Sequence, residues 1–129
     1  MRQVNLSIRF RVEFAENSNI GRGQIELLEA IEKWGSLSKA ARSMTMSYRH
    51  AWQLLESLNR TFEKRVTINS VGGRGGGGAA VTDFGRTVIE GFRGFEHRIS
   101  GIGTECFQAI LPEVSNSPLV TIKRSRRIL

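Results

Sequence analysis

Apolar positions recur at every second residue near the start of the chain: Val4, Leu6, Ile8, Phe10, Val12 and Phe14, with Arg9, Arg11 and Glu13 between the later ones. A period of two puts all six side chains on one face of an extended strand, one face buried and the other wet. The stretch AENSNIGRG, residues 15–23, ends that pattern with turn-forming residues. From about Gln24 the period changes. Ile25, Leu28 and Ile31 recur at helical spacing, Leu27 and Trp34 flank them, and Gly35 follows as a stop. This predicts a helix over about 24–34.

The next stretch, GSLSKAARSMTMSYRHAWQLLESLN at 35–59, predicts two helices joined by a short turn. Ser36 or Ser38 caps the first, which reaches about Met44, and the small Ala40 and Ala41 let a second helix approach closely. Thr45 and Met46 form the break, and Ser47 caps a helix running to about Asn59 or slightly beyond. Such a pair is a helix-turn-helix. At about 100° per residue, Ala51, Leu55, Leu58 and Phe62 share an arc, with Tyr48 and Leu54 at its edges. Arg49, Gln53, Glu56 and Arg60 lie opposite, flanked by His50 and Ser57. An apolar back and a polar front suit a helix lying in a major groove. There an arginine can donate two hydrogen bonds to guanine, and a glutamine can pair at two points with adenine. An ordinary amphipathic surface helix shows the same split, so the stripe alone does not decide.

RVTI at 65–68 and AAVT at 79–82 read as short strands, and between them six of the seven residues 72–78 are glycine, the seventh being Arg74. The glycine run can cradle a phosphate, link domains or form a basic finger. No lysine follows it as a phosphate-binding loop requires, and any glycine run satisfies a G-x-G-x-x-G pattern. A helix-turn-helix followed by a two-stranded ribbon is a winged helix, with this loop as the wing. Glycines let the backbone approach phosphate, and Arg74 adds a charge at the tip.

Thr82 can cap a last helix, over about 82–110. Phe84, Val88, Phe92, Phe95, Ile99, Ile102 and Cys106 follow at near-heptad spacing. The seam fits a partner helix in a homodimer, with packing against the N-terminal strand as the alternative. Gly91 and Gly94 weaken the helix by roughly 1 kcal/mol each, and Gly101 and Gly103 are expected to end or kink it. PEVSNSP then reads as loop and KRSRRIL as a disordered basic tail, so residues 1–111 form one domain and 112–129 lie outside it.

Charge sharpens this picture. The net charge of +7 is unevenly placed: residues 33–74 hold eight basic groups against Glu56 and Glu63, and the tail adds four more. That distribution suits a polyanion, although a solvated basic face would look alike. No apolar run approaches membrane-spanning length and no secretory signal is legible, which makes cytoplasmic residence the expectation. The lone Cys106 has no partner for a disulfide or zinc cluster, and His50 and His97 sit in no catalytic or metal-binding pattern. No catalytic site, metal or cofactor is expected.

The segment from Ile20 to Phe95 resembles the N-terminal DNA-binding domain of ModE-type molybdate-responsive regulators, itself related to the winged helix of LysR-type regulators. The likeness rests on GSLSKAA, MSYRHAW and GGRGGGGAAVT in this order. It implies a mainly α fold with a small β component: a winged helix-turn-helix with an N-terminal strand and a long C-terminal dimerisation helix. It further implies a dimeric regulator of double-stranded DNA, with Ser47, Tyr48, Arg49, His50 and Gln53 near bases and Lys39 and Arg74 at phosphates. Ser38, Arg60, Gly75 and Gly76 complete the candidate DNA-facing set. A protein-interaction module or a nonspecific architectural binder is the alternative. Thr45 stands where the family usually has a turn glycine; a left-handed backbone there costs a β-branched residue roughly 1–2 kcal/mol. The family's C-terminal molybdate-binding domain has no counterpart before Leu129, so molybdate binding is not expected in this chain.

Overall fold

A computed structural model describes residues 5–70 and 77–115. Along the chain come β1 (Arg11–Ala15), β2 (Ser18–Gly21), α1 (Arg22–Trp34), α2 (Leu37–Ser43), α3 (Tyr48–Thr61), β3 (Thr67–Ser70), β4 (Gly78–Val81) and α4 (Asp83–Cys106). A short 3-10 turn, Leu111–Glu113, follows. The strands form two antiparallel ribbons, β1 with β2 and β3 with β4. The protein is a mainly α winged helix-turn-helix. It divides into two compact units, Arg9–His97 and residues 5–8 with 98–115, and α4 contributes to each.

In the Arg9–His97 unit, α1 is the central element. Ile25, Leu27, Leu28 and Ile31 are fully buried, surrounded by Ile20, Ala40, Ala41, Ala51, Leu58, Val66, Val81, Val88 and Phe92. Each large aliphatic side chain in such a core contributes about 1.5–3 kcal/mol. The one buried polar residue of α1, Gln24, is satisfied at both ends of its amide. Its Oε1 accepts from the Gly21 backbone N at 2.8 Å and its Nε2 donates to Ser57 Oγ at 3.2 Å, tying α1 to α3. Gly35 ends α1 in the left-handed region at φ 78°, its N–H donating to Ile31 O. The Gly35 carbonyl then accepts from Ala79 N at 2.9 Å, so the helix stop also anchors the ribbon.

The helix-turn-helix closes as its residues require. Of the two candidate caps it is Ser36 that serves, accepting from Lys39 N at 3.0 Å. Thr45 lies in the left-handed region at φ 56°, its N–H donating to Arg42 O while Met46 N donates to Ala41 O. The strain foreseen for a β-branched residue at this turn is therefore present. Ser47 caps α3 by accepting from His50 N at 3.0 Å.

Several boundaries differ from expectation. The N-terminal strand pairs only over Arg11–Ala15, because β2 offers just four residues opposite it, and β2 itself lies in a stretch read as turn. Asn17, at φ 63°, makes the tight reversal between them. Phe14, expected on the buried face, is 56% exposed. β3 begins at Thr67 rather than Arg65, since neighbouring groups already occupy the backbone before it. Val66 N donates to Asn59 Oδ1, Val66 O accepts from Thr82 N, and Arg65 O accepts from the Thr82 hydroxyl. The same hydroxyl accepts from Gly85 N and so caps α4. At Gly85 a Cβ would run into the Val66 carbonyl oxygen, so only glycine lets α4 start this close to β3.

The seam on α4 is split. Val88 and Phe92 are 9% and 3% exposed and belong to the chain's own core, with the Phe10 ring stacked on Phe92 at 4.7 Å. Phe84 is half-buried against Phe62, and Phe95 is 48% exposed. In the other unit, Ile99 is half-buried and Ile102 exposed. There α4 continues through Gly101 and Gly103 to Cys106 instead of ending. Gly103 is buried beneath Leu6 and Ile8, where an added Cβ would come within 2.7 Å of Leu6 Cδ2. The expected loop after it opens with the 3-10 turn instead.

Candidate nucleic-acid interface

α2, α3 and the β3–β4 ribbon together present one polar face. On it Ser38, Lys39, Ser47, Tyr48, Arg49, His50, Gln53 and Arg60 are all exposed. Tyr48, Arg49, Trp52 and Gln53 line a shallow depression of about 440 Å³ along the first turns of α3. A second cleft of about 540 Å³ runs from Ser36 and Ser38, past Tyr48 and Trp52, to Asn59, Arg65, Thr67, Asn69 and Gly77. Asn59 sits at its floor; its Oδ1 is taken by Val66 N, while its buried Nδ2 has no partner among the described residues. Ser47 is committed as a cap, and Arg60, near the far end of α3, lies 4.0 Å from Glu56. Arg74, Gly75 and Gly76 lie outside the described residues, as does the basic tail from 116 onward.

The charges of this face contrast with a clamped cluster elsewhere in the unit. On the opposite side of α1, Arg93 grips Glu29 with two parallel bonds of 2.8 and 2.9 Å and Glu96 with a third of 2.7 Å. Arg22 closes the cluster on Glu96 at 2.7 Å. Hydrogen bonds from Arg22 and then Arg93 hold the Glu96 carboxyl below its ordinary range. The Arg93 guanidinium is raised, first by Glu29 and then by Glu96. Arg86 likewise bridges Glu32 at 2.7 Å and Asp83 at 2.8 Å. These arginines clamp α4 to α1 and are electrically spent. Lys39, Arg42 and Arg49 make no ion pair among the described residues. Their positive charge is therefore left open on α2 and α3.

Sequence reasoning missed Trp52, Ser36, Arg65 and Asn69 as members of this face. Trp52 was legible: at about 100° per residue it falls between Tyr48 and the Arg49 stripe, away from the Ala51–Leu58 arc. The others depend on how the ribbon folds back beside α3, a tertiary fact with no local signal. Ser57, read as flanking the stripe, is turned to Gln24.

Beside the core of this unit lies an apolar groove of about 410 Å³, lined by Val12, Phe14, Ile20, Phe62, Phe84, Val88, Gly91, Phe92 and Phe95. Among the described residues no helix is long and apolar enough to cross a membrane.

No family model matches the chain. Curated proteins do. The chain is 34% identical over 92 residues to the molybdenum transport protein ModE of Azotobacter vinelandii, covering 68% of this chain and 34% of that protein. It is 37% identical over 92 residues to the molybdenum-pterin-binding protein MopA of Rhodobacter capsulatus, covering 71% of this chain and 35% of that one. With the DNA-binding transcriptional dual regulator ModE of Escherichia coli K12 it shares 36% identity over 67 residues, 52% of this chain and 26% of that protein. The chain spans about a third of the length of the first two relatives. With the helix-turn-helix and ribbon in the expected order, this makes the chain a ModE-type winged-helix protein, homologous to one region of those longer relatives.

Proposed function

We propose that this chain is a DNA-binding transcriptional regulator that reads duplex DNA as a homodimer. The observation carrying the proposal is the outward-facing charge of α2 and α3: Lys39 and Arg49 are exposed and unpaired among the described residues, while Arg22 of α1 and Arg86 and Arg93 of α4 are neutralised in place. The relative named as a DNA-binding transcriptional regulator supports it. In this reading the first half of α3 enters the major groove. Arg49 and Gln53 meet base edges with Ser47, Tyr48 and His50 beside them, and Ser38, Lys39 and Arg60 meet phosphates. The glycine-rich segment joining β3 to β4 is the wing, with Arg74 at the DNA backbone and Gly75 and Gly76 letting the chain approach it.

The dimer is assigned to the open side of α4. Phe95 and Phe14 are half in water beside the apolar groove, and a second copy can cover them. Two α3 helices then face successive major grooves about 34 Å apart. Selecting duplexes from a random pool at physiological salt tests the whole proposal. The expected result is a two-fold symmetric site preferred at least ~10³-fold over random duplex. Uniform binding to all sequences would instead make the protein an architectural binder. Sedimentation should show a dimer that Phe95→Asp dissociates while the fold persists; a monomeric unmodified chain at micromolar concentration refutes the dimer.

A further inference from the structure

Tyr48 and Trp52 stand one helical turn apart on the open side of α3, 57% and 48% exposed. Arg49 and Gln53 stand beside them with the same spacing, and all four share one depression. Residues four apart on a helix are neighbours along its surface, so α3 carries two parallel rows, one aromatic and one hydrogen-bonding. Trp34 lies under the Lys33 ammonium, and Phe14 and Phe95, also half-exposed, have apolar company where they border the apolar groove. Tyr48 and Trp52 do not; the cleft beyond them is lined by Ser36, Glu56, Asn59 and Arg65. An apolar protein surface does not match such a mixture. A polar surface bearing isolated apolar groups does, and in the duplex major groove that group is the thymine 5-methyl.

We infer that Trp52, beside Tyr48, reads a thymine methyl group, and so sets specificity independently of the hydrogen bonds of Arg49 and Gln53. The inference rests on the DNA-binding reading above. An A·T pair shows a glutamine its adenine edge and, across the same groove, the methyl of its thymine. Adjacent aromatic and amide rows are suited to take both at once.

The test uses the full chain and the duplex that pool selection returns. Each thymine is replaced in turn by deoxyuridine, which deletes the methyl and keeps every hydrogen bond. At one or two positions per half-site the unmodified protein should bind roughly fourfold more weakly, the value of one buried carbon. Trp52→Ala should bind thymine and uracil duplexes equally at those positions and should keep its guanine or adenine preference elsewhere. Deoxyuridine that is neutral at every position, or a methyl penalty undiminished in Trp52→Ala, overturns the inference while leaving DNA binding intact. A pool returning no preferred duplex overturns the underlying reading, and the inference with it. A second measurement needs no loss of Trp52. The chain has two tryptophans, so Trp34→Phe leaves Trp52 as sole reporter. Its emission should change on adding the selected duplex and less on the uracil form; unchanged emission with saturated DNA contradicts the contact.

Discussion

Arg86 and Arg93 of α4 and Arg42 and Arg49 of the α2–α3 pair carry the same charge and do opposite things. Arg86 and Arg93 are closed by Asp83, Glu29, Glu32 and Glu96, all within 2.9 Å. Arg42 and Arg49 have no such partner among the described residues. A paired guanidinium positions one helix on another. An unpaired one, held on a helix that its neighbours have fixed, leaves its donors for a ligand. Net charge alone cannot tell the two apart, and two of the four acids that pair with these arginines, Glu29 and Glu32, lie on α1, more than fifty positions away in sequence.

Substitutions can break this comparison. The largest effect is expected on the open side. Arg49→Ala should weaken binding to the preferred duplex by about 1–3 kcal/mol and relax base choice at one position, while thermal stability stays within about 0.5 kcal/mol. Calorimetry alongside DNA titration reads both; equal losses in the two would erase the distinction. On the closed side, Arg93→Ala should cost about 1–2 kcal/mol of stability, discounted for its partial exposure. The affinity of the remaining folded protein for DNA should not change.

Acid should loosen the closed side. Because the folded Glu96 carboxyl titrates below its unfolded value, its stabilisation is complete above about pH 4.3. It fades as pH falls through the folded value. Melting temperatures of the unmodified chain and of Glu96→Gln should therefore differ by a constant amount near neutrality and converge in acid. A gap that widens in acid would show that the cluster does not hold the carboxylate. Smaller still, Arg74→Ala should weaken binding to every sequence alike and flatten the salt dependence by about one unit per protomer. Thr45→Gly, relieving the left-handed turn, should raise stability by about 1 kcal/mol.

Much of this was legible before folding. The 3.6 periodicity of Ile25, Leu28 and Ile31, the stop at Gly35, the cap at Ser47 and the apolar arc around Ala51 and Leu58 all act locally, and all appear as read. What depends on distant partners did not show. β2 is strand only because β1 lies beside it, and Val66 is withheld from β3 only because Asn59 and Thr82 bind its backbone. The α4 seam read as one interface because spacing cannot reveal that Phe10 stacks on Phe92. On the recognition helix, the polar stripe drew attention to Arg49 and Gln53. Trp52 escaped because an apolar side chain is assigned to the core by default, and only its exposure corrects that.

The central claim is that the open face of α2 and α3, and not the clamped face of α1 and α4, meets the ligand. Amide and side-chain resonances of the full chain, followed while a selected duplex is added, test it most directly. The account predicts that shifts concentrate on Ser38, Lys39, the first two turns of α3 including Arg49, Trp52 and Gln53, and the ends of β3 and β4. The Glu29, Arg93 and Glu96 signals should stay put. Shifts centred on that cluster, with α3 silent, would contradict it.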